Sequence, residues 1–171
     1  MNKRNGIVKF GGHPVTLVGT EVKIGTSAPN FTALNTDLTP FTLESTAGHI
    51  RIISVVPSID TSVCDMQTRW FNEEAAKLPN VKIISISVDL PFALKKYCAT
   101  QGIENVHTVS DHKDLNFGLN YGFVIDEFRL LTRGIVVIDA AGIVRHVEYV
   151  PNVGDQPNYE SALQAVKAAL K

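Results

Sequence analysis

Cysteine is scarce in this chain: there are only two, Cys64 and Cys98. So thin a supply cannot build the disulfide framework of a small secreted domain. A cysteine pair without an export signal points instead to redox catalysis or metal binding. Metal is the weaker of these, because neither cysteine has a second Cys or a His at zinc-site spacing. The five histidines, His13, His49, His107, His112 and His146, are scattered singly. A basic excess is also missing. With 16 Lys and Arg against 17 Asp and Glu, the formal net charge is −1, which removes the case for a nucleic-acid or anionic-membrane surface. No run approaches the roughly 18 apolar residues of a membrane span. The residues from Met1 to Phe10 begin basic but reach no continuous apolar stretch, so no secretory signal is expected. These absences predict a cytoplasmic protein with no metal or cofactor, whose partner is small, neutral or another protein. Internal repeats and low-complexity linkers are lacking too. At 171 residues and 44% hydrophobic content, the chain can bury one substantial core but not two. One domain over 1–171 is expected, with 1–24 as an N-terminal hairpin extension.

What is present is an ordered series of apolar runs. Val8-Lys9-Phe10 and Val15-Thr16-Leu17-Val18 flank Gly11-Gly12, a hairpin signal. Gly25 to Pro29 reads as a loop leading to a short extended piece at Phe31. Ile50 to Val56 is unbroken, as in strands covered on both faces. From Ser62 to Leu78, Val63, Met66, Trp70 and Phe71 fall on one helical face, and Pro79-Asn80 stops the pattern. Val81 to Val88 is a second buried strand, and Pro91 with Gly102 brackets a helix carrying Cys98. A short strand near His107 to Ser110 and a helix near Lys113 to Leu119 follow. Gly134 to Ile138 and Ile143 to Val150 flank a turn at Asp139 to Gly142, and Tyr159 to Leu170 closes as an amphipathic helix. Phe92, Tyr97, Trp70 and Phe71 read as core. This order predicts an α/β, thioredoxin-like fold: a central mixed sheet flanked by helices, with an N-terminal β-hairpin.

The first of these helices receives Cys64 in its opening turn, directly after the strand. Unpaired backbone N–H groups and the positive end of the helix dipole favour a thiolate there. A helix end supplies only about 0.3–1 kcal/mol, so a nearby cation and direct hydrogen bonds are needed as well. Asp65 opposes the anion unless it turns away, and one helical step rotates a side chain by about 100°. Away from the site is therefore the expected direction.

Pro57, Thr61 and Cys64 match the Pro-x-x-x-Thr-x-x-Cys motif of peroxiredoxins, and Ser58-Ile59-Asp60-Thr61-Ser62-Val63-Cys64 resembles the bacterial thiol peroxidase branch of atypical two-cysteine peroxiredoxins. Asp89-Leu90-Pro91-Phe92-Ala93 with Tyr97-Cys98 is similar to that branch's resolving-cysteine segment. Leu130-Leu131-Thr132-Arg133 with Val136-Val137-Ile138-Asp139 is similar to its arginine strand, and Gly25, Ala28, Pro29 and Phe31 fit its leading loop. The family often has arginine where this chain has Lys96. The resemblance implies that Cys64 is the peroxidatic nucleophile and Cys98 the resolving thiol. It also implies an intramolecular Cys64–Cys98 disulfide, Arg133 as the cation, and Thr61 and Pro57 as further catalytic residues. Thioredoxin is the implied reductant, a homodimer the implied assembly, and alkyl hydroperoxides the preferred substrates over hydrogen peroxide. Both cysteines lie on helices, so disulfide closure is expected to need local unwinding.

Rival readings are separable. A cysteine hydrolase needs a histidine base, and none of the five has a local signature. A disulfide reductase of the Cys-x-x-Cys type needs cysteine where Gln67 stands. A peroxide-sensing signalling protein without high turnover shares the sulfenic chemistry and remains the alternative.

Overall fold

Every residue of Ile50–Val55 is buried. In the computed structural model, which describes residues 2–75 and 77–171, this segment lies near the middle of a seven-stranded sheet. The elements in chain order are β1 (Lys3–Phe10), β2 (His13–Val18), β3 (Thr32–Leu34), β4 (Pro40–Thr42), a 3₁₀ turn (Leu43–Thr46), β5 (Ile50–Val55), α1 (Ser62–Ala75), β6 (Val81–Ser87), α2 (Pro91–Gln101) and β7 (His107–Ser110). They continue with α3 (Asn116–Tyr121), β8 (Val124–Ile125), β9 (Leu130–Leu131), β10 (Gly134–Ile138), β11 (Val144–Tyr149) and α4 (Tyr159–Ala169). The large sheet runs β11-β10-β5-β6-β7-β3-β4. Its centre, β5-β6-β7, is parallel, because α1 and α2 serve as the crossovers that parallel pairing requires. The expected mixed sheet with flanking helices is the fold observed.

Alternation along the strands explains the unbroken apolar runs. Ile53 and Val55 point to one face, with Ile84, Ile86, Phe31, Phe117 and Phe123. Ile50 and Ile52 point to the other, with Ile83, Phe71, Ala162 and Val166. Both faces are covered, so both parities are hydrophobic.

Helix ends follow local chemistry. Pro91 occupies the first turn of α2, and Gly102 closes it at φ 68°, a left-handed cap that glycine adopts without a Cβ penalty. Asn158 caps α4 by accepting from the Ser161 N–H at 3.0 Å. The short third helix starts at Asn116 instead of near Lys113. Leu115 sits at φ 51°, which no right-handed helix accommodates, while the Asp111 carboxylate accepts from the N–H groups of Phe117 and Gly118.

Two core expectations are corrected. Met66 is 54% exposed and Phe92 66% exposed. The buried face of α1 is Cys64, Gln67, Thr68 and Phe71, one step round from the predicted stripe.

The N-terminal hairpin forms as expected, with β1 antiparallel to β2. It belongs to a second sheet, β1-β2-β8-β9. Lys9 N donates to Pro151 O at 2.7 Å and Val153 N to Lys9 O at 3.0 Å. These bonds hold the hairpin tip beside residues 151–153.

Candidate active site

The strand-to-helix connection after β5 delivers Cys64. Thr61 ends the loop as the helix cap: its carbonyl accepts from Asp65 N at 2.9 Å, and its Oγ1 accepts from Cys64 N at 3.4 Å. Thr68 Oγ1 donates back to Cys64 O at 2.9 Å. The loop before the cap is braced by Asp89, whose carboxylate accepts from Ser58 Oγ at 2.7 Å, Ile59 N at 2.9 Å and Ser87 Oγ at 2.6 Å. Pro57 is buried in this loop. Its ring fixes φ where the chain leaves the sheet.

Arg133 arrives from the neighbouring strand, one residue before β10. The residue is 2% exposed, and every guanidinium nitrogen has an acceptor. Nη2 donates to Cys64 Sγ at 3.2 Å, Nη1 to Gln67 Oε1 at 2.9 Å and Nε to Val153 O at 2.6 Å. Gln67 is held in turn by donating to Ser54 Oγ at 2.8 Å. The Arg133 guanidinium is thus hydrogen-bonded to a sulfur that is completely buried. Sequence reasoning placed Arg133 near Cys64 only through resemblance, and it missed Gln67, Asp89 and Val153. Gln67 lies three residues after Cys64, on the same helical face, which is the one signal that points to it.

Gly134 is forced by this crowding. A Cβ there would lie 2.0 Å from Glu148 O and 2.6 Å from the Phe123 ring. Gly134→Ala is therefore expected to cost about 3 kcal/mol, lowering the melting temperature by roughly 6–12 °C in calorimetry.

Arg133 also lines a cavity of about 210 Å³ with Pro57, Thr61, Val63, Val153 and Gly154. Phe10 and Gly11 of the hairpin tip complete it. The lining is mostly apolar, with Thr61 and Arg133 the two of its residues that carry polar side chains.

Cys98 is placed differently. Both cysteines are free thiols. Cys64 packs with Val56, Ile59 and Leu94, whereas Cys98 is partly buried against the cluster containing Ile103 and Val106, its Sγ 3.3 Å from Thr108 Oγ1. Asp65, as expected, turns from the sulfur: Oδ2 accepts from Arg69 Nε at 2.9 Å and Oδ1 from the Tyr97 hydroxyl. Burial pushes the Asp65 carboxyl up, but the bonds from Tyr97 and Arg69 outweigh it and hold the group below the usual carboxylate range. Burial first, and the bond to Asp65 second, push the Tyr97 phenol well above its ordinary value.

Comparison with known proteins agrees with this geometry. Residues 23–163 match the Redoxin family profile. The thiol peroxidase of Halalkalibacterium halodurans is 56% identical over 163 residues, covering 95% of this chain and 98% of that protein. The thiol peroxidase of Bacillus subtilis is 51% identical over 164 residues, covering 96% and 98%. A peroxiredoxin-like protein from Aquifex aeolicus superposes with a TM-score of 0.89 at 36% identity, over 95% of this chain and 96% of that one. A cysteine-bearing turn on a thioredoxin-like sheet, with an arginine bonded to its sulfur and close relatives over nearly the full length, puts the chain among the thiol peroxidases, peroxiredoxin-type enzymes of the Redoxin family.

Proposed function

We propose that the chain reduces hydrogen peroxide and alkyl hydroperoxides to water and alcohols through a sulfenic acid on Cys64. The observation that carries this reading is Arg133, whose guanidinium bonds to Cys64 Sγ at 3.2 Å and which also lines the apolar cavity. One cation thus serves both the nucleophile and the oxygen it attacks.

The Cys64 thiolate attacks one peroxide oxygen. The O–O bond breaks, and the departing oxygen takes a proton and leaves as water or an alcohol. Thr61, which lines the cavity, accepts through its hydroxyl from the peroxide O–H and orients it. Pro57 keeps water from that side of the sulfur. The apolar walls formed by Phe10, Pro57, Val63 and Val153 support a preference for alkyl over hydrogen peroxide.

Cys98 then condenses with the sulfenic acid to give a disulfide and water, and thioredoxin restores both thiols by exchange. The two sulfurs occupy different apolar clusters, so closure requires unwinding at the cysteine ends of α1 and α2. Two free thiols suit a cytoplasmic setting, where the reductant is available. A homodimer belongs to the same reading and is supported by Leu90 and Phe92, 54% and 66% exposed at the start of α2.

The test is peroxide-dependent NADPH oxidation through thioredoxin and its reductase. The unsubstituted chain should turn over repeatedly. Cys98→Ser should consume one equivalent of peroxide at an unchanged rate and then fall in steady-state turnover by roughly tenfold or more. Equal steady-state turnover in the two chains would eliminate the two-cysteine cycle.

A further inference from the structure

Asp65 follows Cys64 in sequence, Tyr97 precedes Cys98, and the two are joined: the Tyr97 hydroxyl donates to Asp65 Oδ1. That bond is the first of three rungs. One turn on, Arg69 Nη2 donates to Gln101 Oε1. A turn further, Asn72 Oδ1 accepts from Glu104 N at 3.1 Å and Asn105 N at 2.8 Å, while Asn105 Nδ2 donates to Asn72 O at 3.1 Å. Positions 65, 69 and 72 share one face of α1. Their partners lie 32 or 33 residues later at every rung, so α1 is joined in register to the last turns of α2 and the loop that follows it. The Asp65–Arg69 ion pair at 2.9 Å couples the first rung to the second.

The peroxide cavity uses none of these groups. Tyr97, however, packs against both the cluster that holds Cys64 and the cluster that Cys98 faces. It is the side chain common to the surroundings of the two thiols, and its hydroxyl is fastened to the residue next to the nucleophile.

Resting on the two-cysteine cycle proposed above, we propose that the Asp65–Tyr97 bond is a latch on disulfide closure. Held, it keeps α1 and α2 in the geometry that attacks peroxide. Released, it lets the first turn of α1 and the last turn of α2 unwind, while the Asn72 rung still ties α1 to the loop after α2. In the gated step the Cys98 sulfur attacks the sulfenic sulfur of Cys64, an S–S bond forms, the S–O bond breaks, and the hydroxyl leaves with the Cys98 proton as water. While the latch is shut, a second peroxide can instead oxidise the sulfenic acid to sulfinic acid, itself leaving as water or an alcohol. Tyr97 and Asp65 are positioning residues: they set how long the sulfenic acid persists.

Trp70, the chain's single tryptophan, lies on α1 stacked on Tyr159 at 4.3 Å and reports the helix by stopped-flow fluorescence. Mass spectrometry of quenched samples counts sulfenic, sulfinic and disulfide forms. Tyr97→Phe keeps the ring and removes only the hydroxyl. It should leave Cys64 oxidation within about twofold, speed disulfide formation about tenfold, and raise the peroxide concentration for sulfinic acid formation by a similar factor. Asp65→Ala, which removes the Arg69 ion pair along with the latch, should speed disulfide formation at least as much as Tyr97→Phe, and adding Tyr97→Phe to it should change the rate no further. Asn72→Ala, which loosens only the far rung, should stay within about twofold of the unsubstituted rate. An unchanged disulfide rate in Tyr97→Phe, or equal acceleration by Asn72→Ala, overturns the latch. Failure of the unsubstituted chain to form any Cys64–Cys98 disulfide overturns the cycle itself, and the latch with it.

Discussion

Cys64→Ser is expected to reduce peroxide turnover to background, a loss of at least about 10⁴-fold, with the fold retained. The serine oxygen would occupy the same buried position, 3.2 Å from Arg133 Nη2 in the present sulfur geometry. An alcohol nevertheless holds its proton far more tightly than a thiol. Each pKa unit costs about 1.36 kcal/mol, and the helix end returns only about 0.3–1 kcal/mol. Arg133 cannot make up a deficit of several units. Structural damage is not expected, because the capping bond to Thr61 comes from the Cys64 backbone N–H and Arg133 keeps Gln67 and Val153 as acceptors. Circular dichroism alongside the coupled assay separates a dead nucleophile from an unfolded chain. Retained turnover in Cys64→Ser would move the nucleophile elsewhere.

The elements that the sequence announces best are those whose chemistry is local. The strand at Ile50–Val55 is legible because both faces are apolar, and α2 because Pro91 and Gly102 mark its ends. The inner face of α1 was misread for a reason that matters to function. Gln67 and Thr68 are fully buried but polar, their side chains spent on hydrogen bonds, so a hydropathy pattern looks past them to Met66. The second sheet leaves little trace because β8 and β9 have two residues each, too few to show alternation.

The candidate site divides the same way. Pro57, Thr61 and Cys64 stand within one short motif. Arg133 reaches Cys64 across 69 positions, a pairing no local pattern encodes. Val153 contributes a backbone carbonyl, to which side-chain identity is blind. Asp89 reads as part of the segment leading to Cys98, yet its carboxylate braces the loop leading to Cys64. The junction between the two cysteine segments is therefore a property of the folded chain, and so is the zipper from Asp65 to Asn105.

Arg133→Met is expected to slow the reaction of Cys64 with peroxide by about 10³-fold, and Arg133→Lys by about 10²-fold. Methionine fills the space and removes the charge. Lysine keeps a charge but has one ammonium group, whereas Arg133 spans Cys64 Sγ, Gln67 Oε1 and Val153 O with three separate nitrogens. An ammonium that moved to the sulfur would release the glutamine and the carbonyl that fix its direction. Stability should fall as well, because the guanidinium is the donor to Gln67 Oε1 and Val153 O, and a buried acceptor left without its donor costs about 1–3 kcal/mol. Arg133→Met should therefore unfold about 2–4 kcal/mol below the unsubstituted chain in a urea titration. The loss of rate is read on the fraction of chain that stays folded, confirmed by circular dichroism. If Arg133→Met instead reacts with peroxide as fast as the parent chain, the guanidinium is holding Gln67 and Val153 in place and nothing more.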